Sequence, residues 1–382
     1  MQDIIFNLSI ICLFVILAIT LLILLLSIGL RRKSIIVLWA IFIIALATFA
    51  FFAEPSPSDD LYRYYLTINR IRGGIPNSEF VESPLIVQKL WFTIIAKTDN
   101  NGWLPASAVL LFGFLIGSIA NDYMKKNNVA TKIVILFFLS CLGCCSVFSL
   151  ISGIRNVVAF AMWFFSYYFF YEHRKILYYF LTIIAALLHT AVIICVILAL
   201  IYQYYVKMKV GKEYWKIILL IVVIAYVLPS PLIGNILNQI PNTYINLMAR
   251  KWNYYFQYEG IMGDTGSLFI KIMVLFFTAS ALYLIIKKKG RITFSEFILS
   301  IGIPMSLSNI IFERFIFLIG IVSLPTLDNI YKSMSKLGRF FYVICAFCLL
   351  SIRIFLSFYS MFVYMNFNGQ EIGEILRTIF GG

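Results

Sequence analysis

The sequence predicts an all-α polytopic integral membrane protein with about 11–12 transmembrane helices. Two observations support this class. Hydrophobic residues make up 62% of the 382 residues and charged residues only 13%, whereas soluble domains are usually roughly 45–50% apolar and 25% charged. Apolar runs long enough to cross a bilayer, which takes about 20 residues, also recur along most of the chain. We therefore expect a single multispan membrane domain over residues 1–382.

The predicted spans share a length close to one bilayer crossing. They lie near 5–30, 34–53, 103–121, 131–151, 155–172, 216–234, 267–286, 293–312, 315–331 and 340–364. The first run has no basic segment before it and no small-residue cleavage site after it, and it ends at Arg31-Arg32-Lys33. We therefore expect a retained first span rather than a signal peptide.

A further apolar run, 176–206, is too long for one crossing and too short for two, because its helix would measure about 46 Å against a core of about 30 Å. The positive-inside rule decides between the two paths. With one crossing, more Lys and Arg residues face outward than inward. With a bend near His189, all six basic clusters face the cytoplasm. The sequence thus predicts one broken or re-entrant segment near His189, and the net charge of +14 indicates orientation rather than nucleic-acid binding.

This path leaves two large extracytoplasmic loops, 54–102 and 235–266. The first is rich in Pro and Gly and is therefore predicted to contain several turns. Within it, residues 58–71 and 84–96 have helical apolar spacing, and we expect both helices to lie along the membrane surface.

The same orientation brings many polar residues near span ends to the outer face. Ionisable groups at or within a membrane are costly, so several on one face favour a functional site. The residues concerned are Asp59, Asp60, Arg63, Arg155, Asn156, His189, Arg250, Lys251, Glu313 and Arg314.

The stretch SDDLYRYY has two interpretations. In the local one, Ser58 caps a helix, Asp59 and Asp60 suit its positive N-terminus, and Asp59 pairs with Arg63 one turn later. In the functional one, Asp60 and Tyr64 share a helix face and hydrogen-bond sugar hydroxyls at the membrane edge. Both interpretations stay open from the sequence.

Other membrane-edge residues also have a structural and a functional interpretation. Arg155 either snorkels to the headgroups or binds a pyrophosphate with two parallel hydrogen bonds. His189 is either a satisfied core histidine, a general base or a phosphate donor. Arg314 either forms a surface ion pair with Glu313 or binds phosphate. Arg353, deep in the last span, is unusual but has no assigned role.

Motifs for other chemistries are missing from the sequence. It contains no phosphate-binding loop, H-E-x-x-H, G-x-S-x-G or dinucleotide fingerprint. Its CLGC and CAFC pairs lie in apolar runs without nearby His, Asp or Glu, which favours packing over metal binding. We therefore expect no metal and no cofactor. The energy for a reaction at the outer face must then come from the substrate, and a lipid-linked pyrophosphate sugar carries its own leaving group.

Taken in order, these motifs resemble the EpsG-like, Wzy-type polymerases of bacterial O-antigen, capsule and exopolysaccharide. The family has an Asp followed four positions later by Tyr, matched by Asp60 and Tyr64. Its G-x-R-Q-x-x-A element resembles GIRNVVA, where Asn156 replaces Gln, and AALLHTAV resembles its A-x-x-x-H-x-[ST]-A element. Arg314 and Pro325 match a late Arg–Pro spacing. The chain departs from the family where EPSPS replaces an Arg and a Gly before the Asp.

The resemblance, over roughly residues 1–330, implies a glycosyl transfer at the outer face of the bacterial inner membrane. The growing glycan would move from undecaprenyl pyrophosphate onto the non-reducing end of a new lipid-linked repeat unit. Arg155 and Arg314 would hold the pyrophosphate, and His189 would take the acceptor proton or support the phosphate. Asp60 and Tyr64 would position sugar. The remaining expected substrate-binding residues are Asp59, Arg63 and Asn156.

The resemblance also implies partners: undecaprenyl-pyrophosphate-linked oligosaccharides, membrane lipid, and a flippase and chain-length regulator of the same pathway, with no nucleic acid. Two other functions stay open. A flippase or transporter of the lipid-linked unit predicts internal repeats and small outer loops, neither of which the sequence has. A multispan glycan acyltransferase also favours a membrane site with Arg and His, but would draw acyl-CoA from the cytoplasm.

Overall fold

The computed structural model describes residues 31–57, 59–206, 264–287, 292–305 and 309–367, and the isolated positions 239, 241, 246 and 249. The predicted spans 5–30 and 216–234, and nearly all of the predicted outer loop 235–266, lie outside the described residues. In the described part the protein is an all-α membrane protein with one short pair of strands.

The helices are, in chain order, α1 (Arg32–Phe51), α2 (Asp60–Arg72), α3 (Ser78–Glu82), α4 (Ile86–Ala96), α5 (Trp103–Lys126), α6 (Thr131–Cys145), α7 (Val147–Ile151), α8 (Ile154–Phe170), α9 (Lys175–Leu188), α10 (Val192–Ile201), α11 (Asp264–Lys287), α12 (Phe294–Ser300), α13 (Gly302–Met305), α14 (Asn309–Val322), α15 (Leu324–Ser333) and α16 (Lys336–Tyr364). A π-helical turn, Tyr202–Val206, follows α10. The strands β1 (Ala53–Pro55) and β2 (Met365–Phe367) pair antiparallel, with Ala53 opposite Phe367.

Internal contacts divide the chain into two compact units, residues 1–192 with 350–382, and residues 193–349. In the first unit α1 packs along α5, α5 along α8, and α8 against α9. Gly113 lets α1 and α5 approach, since a Cβ there would lie 2.3 Å from the Ile43 side chain. Trp39 closes the same interface by donating from Nε1 to the Gly113 carbonyl at 2.9 Å. The expectation of a single domain stays a prediction.

In the second unit, α12 packs against α11, α14 and α15. Its start is fixed by a capping box, because Thr293 Oγ1 accepts from the Glu296 amide and the Glu296 carboxylate accepts from the Thr293 amide. Ser295 Oγ then donates to the Val322 carbonyl at 2.6 Å, at the end of α14. These bonds satisfy polar groups that would otherwise be buried without a partner.

Four helices of the described residues are long and apolar enough to cross a membrane, which confirms the predicted class. They are Arg32–Phe51, Trp103–Lys126, Leu268–Lys287 and Lys336–Phe358. A fifth crossing results if Phe315–Val322 and Leu324–Ser333, bent by 53°, count as one span. The helices α6, α9 and α10 are apolar but shorter, so the described part alone does not reach 11–12 spans.

The predicted span 131–151 is broken into α6 and α7. Ser146 lies at the break with φ 50°, the single non-glycine residue with positive φ in the described part of the chain. Its hydroxyl accepts from the Ser149 amide at 3.0 Å and so caps α7. The Phe148 amide donates to Ser357 Oγ at 3.1 Å. These side chains satisfy the backbone groups that the break frees.

The break predicted near His189 is confirmed. Helix α9 ends at Leu188, His189 is extended (φ −154°, ψ 125°), and α10 begins at Val192. Whether the chain turns back toward the cytoplasm there stays a prediction. The two helices predicted in the first outer loop are also confirmed, as α2 and α4, although this loop contains α3 as well.

Candidate active site

The candidate site forms where α2, α4 and the start of α8 meet. Helix α2 is amphipathic and buries Leu61, Tyr64 and Ile68, which share one face by their spacing. This face packs on α4, where the Tyr64 and Phe92 rings lie 5.4 Å apart between centroids. Packing therefore fixes the Tyr64 side chain without a ligand.

Arg155, the second residue of α8, meets this tyrosine. Its Nε donates to the Tyr64 hydroxyl at 2.9 Å, and its Nη1 donates to Gln88 Oε1 at 2.7 Å. The guanidinium carbon also lies 4.6 Å from the centre of the Tyr64 ring, a distance typical of a cation–π contact. We call Arg155, Tyr64 and Gln88 the Arg155 cluster.

The Arg155 cluster has the electrostatics of an anion site. No carboxylate of the described residues pairs with Arg155, and no side chain there accepts from its Nη2. The positive end of the α8 dipole adds to the charge of the guanidinium. Burial raises the pKa of Tyr64, so its phenol stays neutral and does not cancel that charge. A planar guanidinium held in this way suits a phosphate oxygen pair.

At the start of α2 the structure corrects the predicted ion pair. Arg63 pairs with Asp60, not with Asp59. Asp59 precedes the helix in an extended conformation, and its carboxylate turns back to accept from the Ser56 amide at 3.1 Å. Burial raises the pKa of Asp59 to about 6, and the neighbouring Asp60 adds to this shift. The predicted cap Ser58 lies outside the described residues.

Asp60 and Tyr64, which the sequence placed one turn apart on α2, differ in exposure. The Asp60 side chain is 37% exposed and the Arg63 side chain 66%, whereas Tyr64 is buried. Tyr64 thus contacts Arg155, while Asp60 lies at the surface of the same helix. Their roles in binding sugar stay predictions.

Asn156, next to Arg155, is buried, and no described residue donates to its Oδ1. An unsatisfied buried amide oxygen is costly, so this position is not explained by packing alone. Its predicted role in substrate binding stays untested. The sequence analysis missed Gln88, whose only signal was a polar amide next to Lys89 in the mostly apolar stretch LIVQKLWF.

His189 is half-buried at the break after α9. Its Nδ1 accepts from the Ala191 amide at 3.1 Å. The neutral ring then carries its hydrogen on Nε2, because the contact of one ring nitrogen decides the tautomer. No hydrogen bond joins His189 to Arg155.

Arg314 lies in α14, within the second unit, but its side chain and that of Glu313 fall outside the described residues. Arg250 and Lys251 also lie outside them. Pro325 is in the first turn of α15. The expectation that Arg314 binds phosphate therefore stays a prediction.

Arg353 lies in the last predicted span, within α16. In the described part of the chain no acceptor is in place for its buried Nε, although it lies close enough to Cys144 for an electrostatic interaction. The structure assigns it no role. Among the described residues no group of three or more His, Cys, Asp or Glu side chains could hold a metal ion.

Comparison with known protein families identifies this chain. The family model described as "EpsG family" matches residues 90–368, more than half of the chain. No curated protein and no solved structure matches this chain. The matched part contains Arg155, His189 and Arg314 but begins after Asp60 and Tyr64, so it starts later and ends later than the resemblance expected from the motifs.

Proposed function

The chain belongs to the EpsG family, and from that premise we propose that it is a membrane glycosyltransferase that polymerises a bacterial polysaccharide. Its substrates are undecaprenyl-pyrophosphate-linked oligosaccharide repeat units, and the reaction takes place at the outer face of the inner membrane. The product is the surface polysaccharide of an O-antigen, capsule or exopolysaccharide pathway. A flippase and a chain-length regulator of that pathway act beside it.

The observation that carries this proposal is the fixed guanidinium of Arg155. Tyr64 and Gln88 hold two of its nitrogens, while no described residue occupies Nη2. Such a group is oriented before the substrate arrives, so little free energy is lost in ordering it. A pyrophosphate that leaves a sugar gains negative charge at the oxygen that joined its phosphorus to the anomeric carbon, and Arg155 stabilises that charge.

In the reaction, a hydroxyl oxygen at the non-reducing end of the acceptor attacks the anomeric carbon of the donor glycan. The bond from this carbon to the pyrophosphate oxygen breaks, and its electron pair leaves with undecaprenyl pyrophosphate. Arg155 binds that leaving group, with Arg314 as the expected second arginine. The hydroxyl proton passes to the departing pyrophosphate oxygen or to water.

His189 fits support of the phosphate better than abstraction of a proton. Because its Nδ1 accepts from Ala191, the neutral ring carries its hydrogen on Nε2, and that nitrogen is a donor rather than a base. Asp60, at the exposed start of α2, is the proposed acceptor for sugar hydroxyls. Asp59, Arg63 and Asn156 remain the further substrate-binding candidates.

The test is a gene deletion complemented with variants, followed by electrophoresis of the surface glycan. Loss of a polymerase leaves single repeat units on the surface lipid, whereas loss of a flippase leaves none. We expect Arg155→Ala to give single units and Arg70→Ala, an exposed arginine on α2, to give full-length chains. Full-length chains from Arg155→Ala at normal protein levels would contradict the proposed site.

A further inference from the structure

A cavity lies beside α2, and none of the three residues of the Arg155 cluster lines it. It is a cavity of about 380 Å³, within the size of small-molecule sites, roughly 300–1,000 Å³. We call it the loop cavity. Residues of α2, the end of α1, β1 and the turn before α5 line it, among them Glu54, Tyr62, Tyr65, Asn69, Arg72 and Asp99. The function proposed above assigns no role to the residues that line it.

The chemistry of this lining matches a sugar ring. A pyranose has apolar C–H faces, which pack on aromatic rings, and a rim of hydroxyls that both donate and accept. Tyr62 and Tyr65 supply aromatic surface, and the Asn69 amide nitrogen supplies a donor. A lipid tail would need an apolar lining instead, and a phosphate would meet the carboxylates of Glu54 and Asp99.

One wall of the loop cavity is held rigid by a hydrogen-bond network. Arg72 donates to Asn69 Oδ1 at 2.8 Å and to Asn101 Oδ1 at 2.9 Å, and Asn101 Nδ2 donates to Asn69 Oδ1 at 2.9 Å. Arg72 Nε also donates to the Ala96 carbonyl at 3.3 Å, which joins α2 to the end of α4. All three guanidinium nitrogens of Arg72 thus donate within the protein, whereas the Asn69 amide nitrogen donates to no described residue.

Other parts of the lining are fixed by contacts to the backbone. Tyr65 donates from its hydroxyl to the Ala53 carbonyl at 3.3 Å. Gly102 lies so close to Phe51 that a Cβ at this glycine would be 2.0 Å from the Phe51 carbonyl oxygen. The Phe51 ring meets Trp103 at 5.1 Å between centroids. These parts of the lining are therefore in place without a ligand, which lowers the cost of binding.

Polar groups remain available at the rim. The carboxylates of Glu54 and Asp99 are exposed and make no hydrogen bond to described side chains, and neither does the Tyr62 hydroxyl. Because Arg72 is occupied, the free charge at the rim is negative. That charge favours a neutral or amino sugar and disfavours a uronic acid.

We propose that the loop cavity is a glycan subsite, which holds a neutral or amino sugar of the substrate while the Arg155 cluster holds the pyrophosphate. The inference rests on the proposed function for its substrate class. Tyr62 and Tyr64 lie two positions apart on α2, so they point to nearly opposite sides of the helix. One helix thus separates the subsite for sugar from the subsite for the leaving group.

The test is a binding titration that does not depend on catalysis. The probe is the oligosaccharide repeat unit freed from its lipid by mild acid, added to the full-length protein in detergent, with saturation-transfer NMR as the readout. We expect Tyr62→Ala to weaken binding about 3- to 10-fold, since one aromatic contact is lost. Asp99→Asn, which preserves shape, is expected to weaken it by a smaller factor.

Two control variants locate the binding. Arg70→Ala changes an exposed residue of α2 outside the cavity, and Arg155→Lys changes the pyrophosphate cluster; both are expected to bind the lipid-free unit as the wild type does. Wild-type affinity in both Tyr62→Ala and Asp99→Asn, or loss of binding in Arg155→Lys, would overturn the subsite. Failure of the proposed function is seen separately, as full-length glycan from Arg155→Ala cells, and leaves this titration unchanged.

Discussion

The two faces of α2 differ in what fixes them. The buried face holds Tyr64 by packing on α4 and by the hydrogen bond from Arg155. The exposed face, with Tyr62 and Asn69, borders the loop cavity and is ordered mainly by side-chain hydrogen bonds. An anion site needs a desolvated, fixed cation, whereas a sugar site tolerates water. We therefore expect changes on the buried face to have the larger effects.

The largest effect is expected at the guanidinium that the buried face positions. Arg155→Lys keeps the charge, but a lysine cannot contact Tyr64, Gln88 and a phosphate in one plane. We expect the rate of glycan elongation by purified protein to fall about 100-fold or more, as for loss of a positioned donor to developing charge. Near-wild-type elongation by this variant would mean that charge alone suffices and that the buried face has no special role.

A smaller loss is expected from Tyr64→Phe, which keeps the ring over Arg155 but removes the hydroxyl that accepts from Nε. A hydrogen bond to a charged group contributes about 1.5–3 kcal/mol, so the rate should fall at least about 10-fold. The matched control is Tyr179→Phe, at an exposed tyrosine of α9. Equal rates for the two variants would show that Tyr64 does not position Arg155.

The start of α2 should make stability depend on pH. Because burial raises the pKa of Asp59 from 3.8 to about 6, the folded state binds more protons than the unfolded state between these values. The free energy of unfolding then falls as pH rises through this range. Asp59→Asn keeps an oxygen for the Ser56 amide and removes the titration.

The midpoint of thermal unfolding in detergent measures this dependence. Below pH 4, Asp59→Asn and the wild type should unfold at similar temperatures, and above pH 6 the variant should be the more stable. The difference between the two proteins isolates Asp59 from other titrating groups. A difference that stays constant from pH 4 to 7 would show that the Asp59 carboxyl is not buried as described.

The smallest effect is expected on the exposed face. Arg63 pairs with Asp60, but its side chain is 66% exposed, and exposed ion pairs contribute about 0–1 kcal/mol. Arg63→Ala should therefore leave the unfolding midpoint within a few degrees of the wild type. A loss of stability as large as that of a buried-face variant would remove the contrast between the two faces.

The helical class could be read from the sequence because apolar length and composition alone report a bilayer crossing. The break at His189 could also be predicted, because the length of the apolar run 176–206 and the placement of the basic clusters both indicate it. The break at Ser146 was not, because it depends on Ser357, more than two hundred positions away, which accepts from Phe148. A contact between distant helices leaves no local pattern.

The contacts of the candidate site were likewise not predictable from the sequence. Arg155 and Tyr64 stood out by residue type and position. Their hydrogen bond, and the one from Arg155 to Gln88, depend on the packing of α2, α4 and α8. The choice of Asp60 over Asp59 as the partner of Arg63 depends on where α2 begins, which is one residue later than the start that a Ser58 cap would give. Spacing alone allowed both pairs.

Reconstitution of the purified protein shows whether it polymerises glycan and whether Arg155 is needed. Wild-type protein and Arg155→Ala are placed in liposomes with purified lipid-linked repeat units, without nucleotide, and both glycan length and released undecaprenyl pyrophosphate are measured. We expect the wild type to lengthen the glycan and to release one undecaprenyl pyrophosphate per new linkage, and Arg155→Ala to do neither. Elongation by Arg155→Ala at the wild-type rate, or no elongation by correctly folded wild-type protein, would contradict this expectation.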